Sequence, residues 1–174
     1  IKKWQPAWVA TGSGALRKVK IRTRGDNPTN WAYAKKSWRI KTRKSQLIGG
    51  VREFNYVIPR TMDGVQLHLS YVLARKAGLL APNSQLVELF INGDSEGPYL
   101  ELPHLDESFL RRSGVMPVNL YKGEQENSER RLGLGINLFN NPELWQKIAV
   151  FNQLPVTDKT DLKRFLRLIR EAET

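Results

Sequence analysis

Two stretches of this chain alternate apolar and basic residues with a period of two. LRKVKIRTR runs from Leu16 to Arg24, with its phase slipping between Leu16 and Val19. SWRIKT runs from Ser37 to Thr42, with Trp38 and Ile40 on one side and Arg39 and Lys41 on the other. A period of two is the strand period, because successive side chains point to opposite faces of a sheet. The turn-like GDNPTN, Gly25 to Asn30, lies between them. The pattern therefore predicts two half-buried strands joined by a polar loop, with a cationic outer face.

The following segments predict an α+β arrangement. Val65, Leu69, Val72, Leu73 and Ala77 recur at helical spacing from Asp63 to Gly78, with Asp63 as a cap and Gly78 at the end. QLVELFIN, Gln85 to Asn92, then YLEL, Tyr99 to Leu102, predict a hairpin whose loop, containing Gly97–Pro98, exceeds the tightest two-residue type. A short helix is predicted from Asp106 to Gly114, and PVNLYK, Pro117 to Lys122, predicts a further strand. Residues 123–141 are polar and rich in Gly and Asn and predict a long surface loop. Asn141–Pro142 opens a predicted helix through Leu144, Trp145, Ile148 and Phe151. A last helix starts near Thr160–Asp161, with Leu162, Phe165, Leu166 and Ile169 on one face. These readings divide the chain into residues 1–122, a loop at 123–141, and a helical part at 142–174.

Composition narrows the classes. With 174 residues and 40% apolar content, there is material for one ordinary domain or two small ones. No run of about 18 apolar residues exists to span a membrane as a helix. Zero Cys excludes a disulfide framework, and two His argue against structural zinc. The chain opens on Ile1 with no charged-then-apolar leader, so it reads as an excised piece whose targeting information lies elsewhere.

The net charge of +11 is unevenly spread: residues 1–60 hold 15 Lys/Arg against 2 Asp/Glu. Such a segment attracts anions, whether nucleic acid, nucleotide phosphates or an acidic partner, and equally describes a solvated basic face with no ligand. Motifs have to choose. GxxxxGK[ST], HExxH and GxSxG are all absent, and GSG at Gly12–Gly14 is too short for a nucleotide loop. His68 and His104 read as packing or hydrogen-bonding residues. The basic strands, with Trp31, Tyr33 and Trp38 as stacking platforms, leave a nucleic-acid-binding domain as an alternative, although no recognised module matches and aromatics on strands are usually core.

Four segments in order carry a resemblance: KIRTRGDNPTNWAYAKKSWRIKTRK (Lys20–Lys44), LSYVLARKAGLLAP (Leu69–Pro82), VELFINGDSEGPYLELPHLDESFL (Val87–Leu110) and NLYKGE (Asn119–Glu124). Together they resemble the CotH kinase family, named for spore coat protein H, over roughly residues 16–170. The resemblance implies an atypical protein-kinase-like N-terminal lobe, an antiparallel sheet with a packed helix, plus the first helices of a C-terminal lobe. It implies ATP and a divalent metal, Mg²⁺ or Mn²⁺, used to phosphorylate Ser/Thr of an acceptor protein, and it tilts localisation toward extracytoplasmic or spore-associated. The family's catalytic and metal-binding aspartates follow the helix that here ends at Thr174. The chain thus reads as the first half of such a kinase, inactive without the partner lobe. An alternative within the same resemblance is a non-catalytic coat or surface scaffold.

The nucleotide-binding candidates are Arg22, Arg24, Lys36, Arg39, Tyr99, Glu101 and Lys122, with no catalytic base and no metal ligand nominated. Asp26, Asp63, Asp94, Asp106 and Glu124 sit in turns, caps and loops. Lys36 and Arg39 either face phosphates or form surface pairs of little energetic value. Arg22 and Arg24 offer planar forks suited to phosphate, or equally to backbone carbonyls. Tyr99 and Glu101, two apart on a strand, share a face. In a kinase-like lobe that face floors the nucleotide pocket, with Tyr99 against adenine and Glu101 paired with Lys122. The competing assignment makes Tyr99 core and Glu101–Lys122 an exposed cross-strand pair. Trp31 and Trp38 are expected in the core, and Gly25, Gly93 and Gly97 at positive φ.

Overall fold

The computed structural model describes residues 3–12, 14–25, 33–59, 63–116, 118–123, 137–148 and 155–172. The chain divides into two compact units, Ile1–Leu105 and Asp106–Thr174. The first is built on six antiparallel strands: β1 (Gln5–Val9), β2 (Arg17–Arg24), β3 (Ser37–Lys41), β4 (Glu53–Val57), β5 (Gln85–Ile91) and β6 (Asp94–Pro103). Their order across the sheet is β1-β2-β3-β4-β6-β5.

β2 and β3 pair as the alternation predicts, with Ile21 opposite Ile40 and Arg22 opposite Arg39. Val19, Ile40, Val51, Phe54, Tyr56 and Tyr99 form the buried core, flanked by Ile21, Trp38 and Val87. The sheet is curled, and the Ile48–Val51 turn contributes Val51 to the core with Ile48 packed against it. That turn is closed by two backbone hydrogen bonds, and Gly49 and Gly50 both adopt positive φ.

The helix α1 (Asp63–Lys76) appears where its periodicity predicts, and it comes against β6. Gly78 follows it at φ 77°. Arg75 ties the exit down by donating to the Pro82 carbonyl (3.1 Å) and to Asn83 Oδ1 (2.6 Å). His68 has the local role expected of it, its Nδ1 lying 2.9 Å from Ser84 Oγ. Val65, Leu69 and Leu73 stay exposed, so only part of the apolar stripe is used.

The β5–β6 hairpin corrects one expectation. Its loop is Asn92–Gly93 alone, with φ 55° and 97°, the geometry of a tight two-residue turn. Gly97 instead lies inside β6, which absorbs it through a register shift between Glu88 and Phe90. Replacing Gly93 by Ala is expected to destabilise the unit by about 1–2 kcal/mol, because a side chain there has to adopt a left-handed backbone. Thermal unfolding read by circular dichroism checks this; an unchanged midpoint refutes it.

In the second unit, α2 (Glu107–Arg112) is capped by Asp106, whose carboxylate accepts from the Phe109 amide at 3.2 Å. β7 (Tyr121–Gly123) and β8 (Trp145–Lys147) form a two-stranded sheet, and α3 (Thr160–Ala172) buries Leu162 and Leu166. The helix expected from Asn141 is corrected here. Pro142–Leu144 makes one 3-10 turn, Asn141 supplies no side-chain cap, and Trp145 then enters β8. Trp145 donates its indole N–H to the Leu138 carbonyl (2.9 Å) and meets Phe139 edge-on. It also packs over Gly123, where an added Cβ would stand 3.3 Å from the indole ring. Most of the loop expected at 123–141 lies outside the described residues, and its last residues form a 3-10 turn, Leu138–Asn140.

The N-terminus of α3 is fastened to β7. Asp161 accepts from the Tyr121 hydroxyl and the Asn119 amide. Partial burial works to raise the Asp161 carboxyl, but those two donors and the Leu162 amide together hold it below the usual carboxylate range.

Candidate functional site: a cationic sheet face

Antiparallel partners directly opposite one another point to the same face. Arg24 lies opposite Ser37, Arg22 opposite Arg39, and Lys20 opposite Lys41. On the next strand Arg39 faces Asn55 and Lys41 faces Glu53. The face away from the core thus carries three successive cationic rungs.

The side chains on these rungs are organised. Arg39 donates through Nε to Asn55 Oδ1 at 2.8 Å, and its Nη1 lies 3.7 Å from Glu53. Lys41 Nζ stands 3.0 Å from the same carboxylate. The Arg22 guanidinium lies over the Trp4 ring at 4.9 Å, with Lys41 Nζ 5.8 Å from that ring, a cation–π arrangement at the sheet edge. The Arg22 Nε is buried with no hydrogen-bond partner among the described residues.

Glu53 is therefore the only carboxylate, among the described residues, within ion-pair distance of Arg22, Arg24, Arg39 or Lys41. Burial lowers the Arg39 guanidinium from its ordinary value; Glu53 opposes this, and Arg22 and Arg24 add to it. Burial likewise lowers Arg24, with Tyr71 of α1 acting the other way. Arg24 and Arg39 both stay protonated, since the ordinary guanidinium value is so high. The face holds partly desolvated positive charge, with Glu53 as its one carboxylate counterion among the described residues.

The other candidates lie elsewhere. β6 pairs with β4 so that Glu101 faces Tyr56 and Leu102 faces Asn55. Tyr99 and Glu101 accordingly share the core side of the sheet, opposite the arginines. Tyr99 has 0% exposure and donates its hydroxyl to the Lys36 carbonyl at 2.9 Å. Lys35 Nζ lies 4.6 Å from its ring centre and reaches the Pro98 carbonyl at 3.3 Å. Glu101 accepts from Gln85 at 2.8 Å. Burial, then the adjacent Glu101 carboxylate, pushes the Tyr56 phenol well above its ordinary value. Lys36 donates to the Tyr33 carbonyl. Lys122 lies in the second unit, in register with Gln146.

So the sequence-derived set separates into Arg22, Arg24 and Arg39 together, Lys36, Tyr99 and Glu101 around the core side, and Lys122 in the second unit. Of the aromatic platforms of the nucleic-acid alternative, the strand register places Trp38. Trp38 is on the core side with Tyr56, and Trp31 lies outside the described residues. Asp26 and Glu124 also lie outside them. Sequence reasoning missed Trp4, Glu53 and Asn55. The available signal was that Glu53 is one of only two acidic residues in the first sixty.

Residues 21–174 match the family model described as CotH kinase protein. No curated protein matches the chain. The family match opens at Ile21, inside the strand that carries Arg22 and Arg24, and runs to Thr174; with most of its length covered, the chain belongs to the CotH kinase protein family.

Proposed function

We propose that this protein holds the phosphates of ATP on the cationic sheet face and contributes that site to phosphoryl transfer onto Ser/Thr of an acceptor protein. Family membership supports a kinase-like function. The observation that carries the reading is the cluster of Arg22, Arg24 and Arg39, which has Glu53 as its sole carboxylate among the described residues. The donor set fits phosphate: planar guanidinium forks match phosphate oxygens two at a time, and the orphaned Arg22 Nε lacks an acceptor. Bound there, ATP supplies the transferable phosphoryl group, and the arginines orient its phosphates and offset their charge.

The same face does not suit Mg²⁺ or Mn²⁺. Guanidinium groups offer no lone pair, and among the described residues no three His, Asp or Glu side chains converge. Metal ligands for the complete reaction have to come from other residues. The Tyr99 ring, enclosed by the core and by Lys35, offers no open face for adenine.

A fluorescent ATP analogue, titrated by anisotropy at low salt, tests the site. Arg22→Gln/Arg39→Gln is expected to weaken binding at least about 100-fold, since charge-assisted hydrogen bonds contribute about 1.5–3 kcal/mol each. Equal affinity in the double variant overturns the assignment. A second expectation concerns turnover. The 174 residues alone are expected to transfer no radiolabel from ATP to a generic protein acceptor, because the site's one carboxylate among the described residues, Glu53, is engaged by Arg39 and Lys41. Robust transfer by this chain would refute that.

A further inference from the structure

Beyond the arginine cluster, at the end of β2 and β3 away from their connecting turn, a recess of about 290 Å³ is lined by Lys18, Lys20, Lys41, Thr42, Arg43 and Arg52. With Pro6 and Val19 also lining it, five of the eight lining side chains are cationic, and no carboxylate is among them. Lys41 is occupied by Glu53 at 3.0 Å. Among the described residues, Lys18, Lys20, Arg43 and Arg52 meet no carboxylate.

Arg52 is the informative member. Its carbonyl accepts from both the Thr42 amide (2.8 Å) and the Thr42 hydroxyl (3.1 Å), so its backbone is pinned. Its Nε is nevertheless buried with no acceptor. Buried N–H donors are nearly always satisfied, so one left open beside a cationic recess calls for an acceptor from outside the chain. Lys18 is four residues from Arg22 along β2, about 13 Å at strand spacing, so one phosphate group cannot serve both places.

We propose that this recess is a second anion site, adjoining the arginine cluster at the Lys20–Lys41 rung but centred on Lys18, Arg43 and Arg52, that takes a single phosphate group, either free or as the phosphomonoester of a small molecule. Its volume is roughly ten times the 30 Å³ or so that one water occupies, enough for a phosphate with part of its hydration or a small organic substituent. Several converging cations favour a dianion over a lone carboxylate, and the Arg43 and Arg52 forks suit tetrahedral oxyanions. The proposal does not depend on the nucleotide reading.

Calorimetric titration of the full chain with inorganic phosphate, in chloride buffer, is the test. Lys18→Gln/Arg43→Gln alters two exposed side chains and Arg52→Gln removes the orphaned donor; each is expected to weaken binding at least about tenfold. Lys3→Gln/Lys44→Gln removes the same charge outside the recess and is expected to change it less than about twofold. The recess variants are expected to keep their affinity for the fluorescent ATP analogue, and Arg22→Gln/Arg39→Gln to keep phosphate binding, so the two sites fail separately. Absence of phosphate binding overturns the proposal. So does an equal loss in the control pair, which would mean that only the general field of a +11 chain attracts the ion. Vesicles of phosphatidic acid in phosphatidylcholine test the other source of the same group. Vesicle binding that inorganic phosphate fails to displace refutes a small-molecule site.

Discussion

Glu53→Ala is expected to lower folding stability by about 2–3 kcal/mol, far more than the loss of an exposed ion pair. Glu53 is 8% exposed and serves Arg39 and Lys41 together, so its removal leaves two partly buried cations facing each other beside Arg22. The estimate is below the 3–5 kcal/mol typical of breaking a fully buried pair, because Lys41 retains access to water. For a unit of about a hundred residues, the loss corresponds to a drop in Tm of roughly 10–20 °C. Glu53→Gln keeps the volume and one acceptor and is expected to cost about half as much. Calorimetric or circular-dichroism melts decide the point: a Tm within about 2 °C of the parent makes Glu53 an ordinary surface partner. The same substitutions are expected to act oppositely on ligand binding. With the resident carboxylate gone, Glu53→Gln is expected to bind the ATP analogue more tightly, since phosphate no longer competes with it for Arg39. Lower stability combined with higher affinity is the signature of a carboxylate holding an anion site in its ligand's absence.

The pairing of β2 with β3 was legible because each strand has one wet face and one dry face, and that asymmetry writes a period of two into the sequence. β4 lacks the asymmetry. Glu53, Phe54, Asn55 and Tyr56 are all buried, so the strand shows no alternation despite being central. β1 is an edge strand with Pro6 as its second residue, an arrangement tolerated at an edge but carrying a weak strand signal. Around Trp145 the spacing of Leu144, Trp145 and Ile148 satisfies a helix, and what overrides it is pairing with β7 across the small Gly123.

The site divides along similar lines. That Arg22 and Arg24 share a face follows from parity within one strand. That Arg39 joins them depends on a register fixed by the β2–β3 pairing. That Glu53 and Trp4 complete the cluster depends on strands whose own signals are weak. Parity also put Tyr99 and Glu101 together correctly, but it cannot say on which side of the sheet. The pairing of Tyr56 with Glu101 decides that, and a slip of one residue would turn both toward the arginines.

Substitution of Tyr99 separates the two roles that its sequence position allowed. Its ring sits among Val19, Ile40, Phe54 and Tyr56 with no exposed surface, so Tyr99→Ala is expected to cost about 3–5 kcal/mol, enough to unfold much of the first unit. Tyr99→Phe keeps the ring and loses only the hydrogen bond to the Lys36 carbonyl, for an expected cost of about 1 kcal/mol. Tyr99→Leu is the discriminating variant, because it keeps an apolar side chain while abolishing the aromatic face. If Tyr99 stacked on adenine, Tyr99→Leu would weaken the ATP analogue several-fold with Tyr99→Phe near the parent. With the ring enclosed by the core and by Lys35, all correctly folded Tyr99 variants are instead expected to bind the analogue within about twofold of the parent. Affinity is then set on the opposite face, where Arg22→Gln/Arg39→Gln is expected to weaken it at least about 100-fold without removing a core side chain. A loss confined to Tyr99→Leu at unchanged helicity would move the base-binding surface to the core side of the sheet and separate it from the arginine cluster.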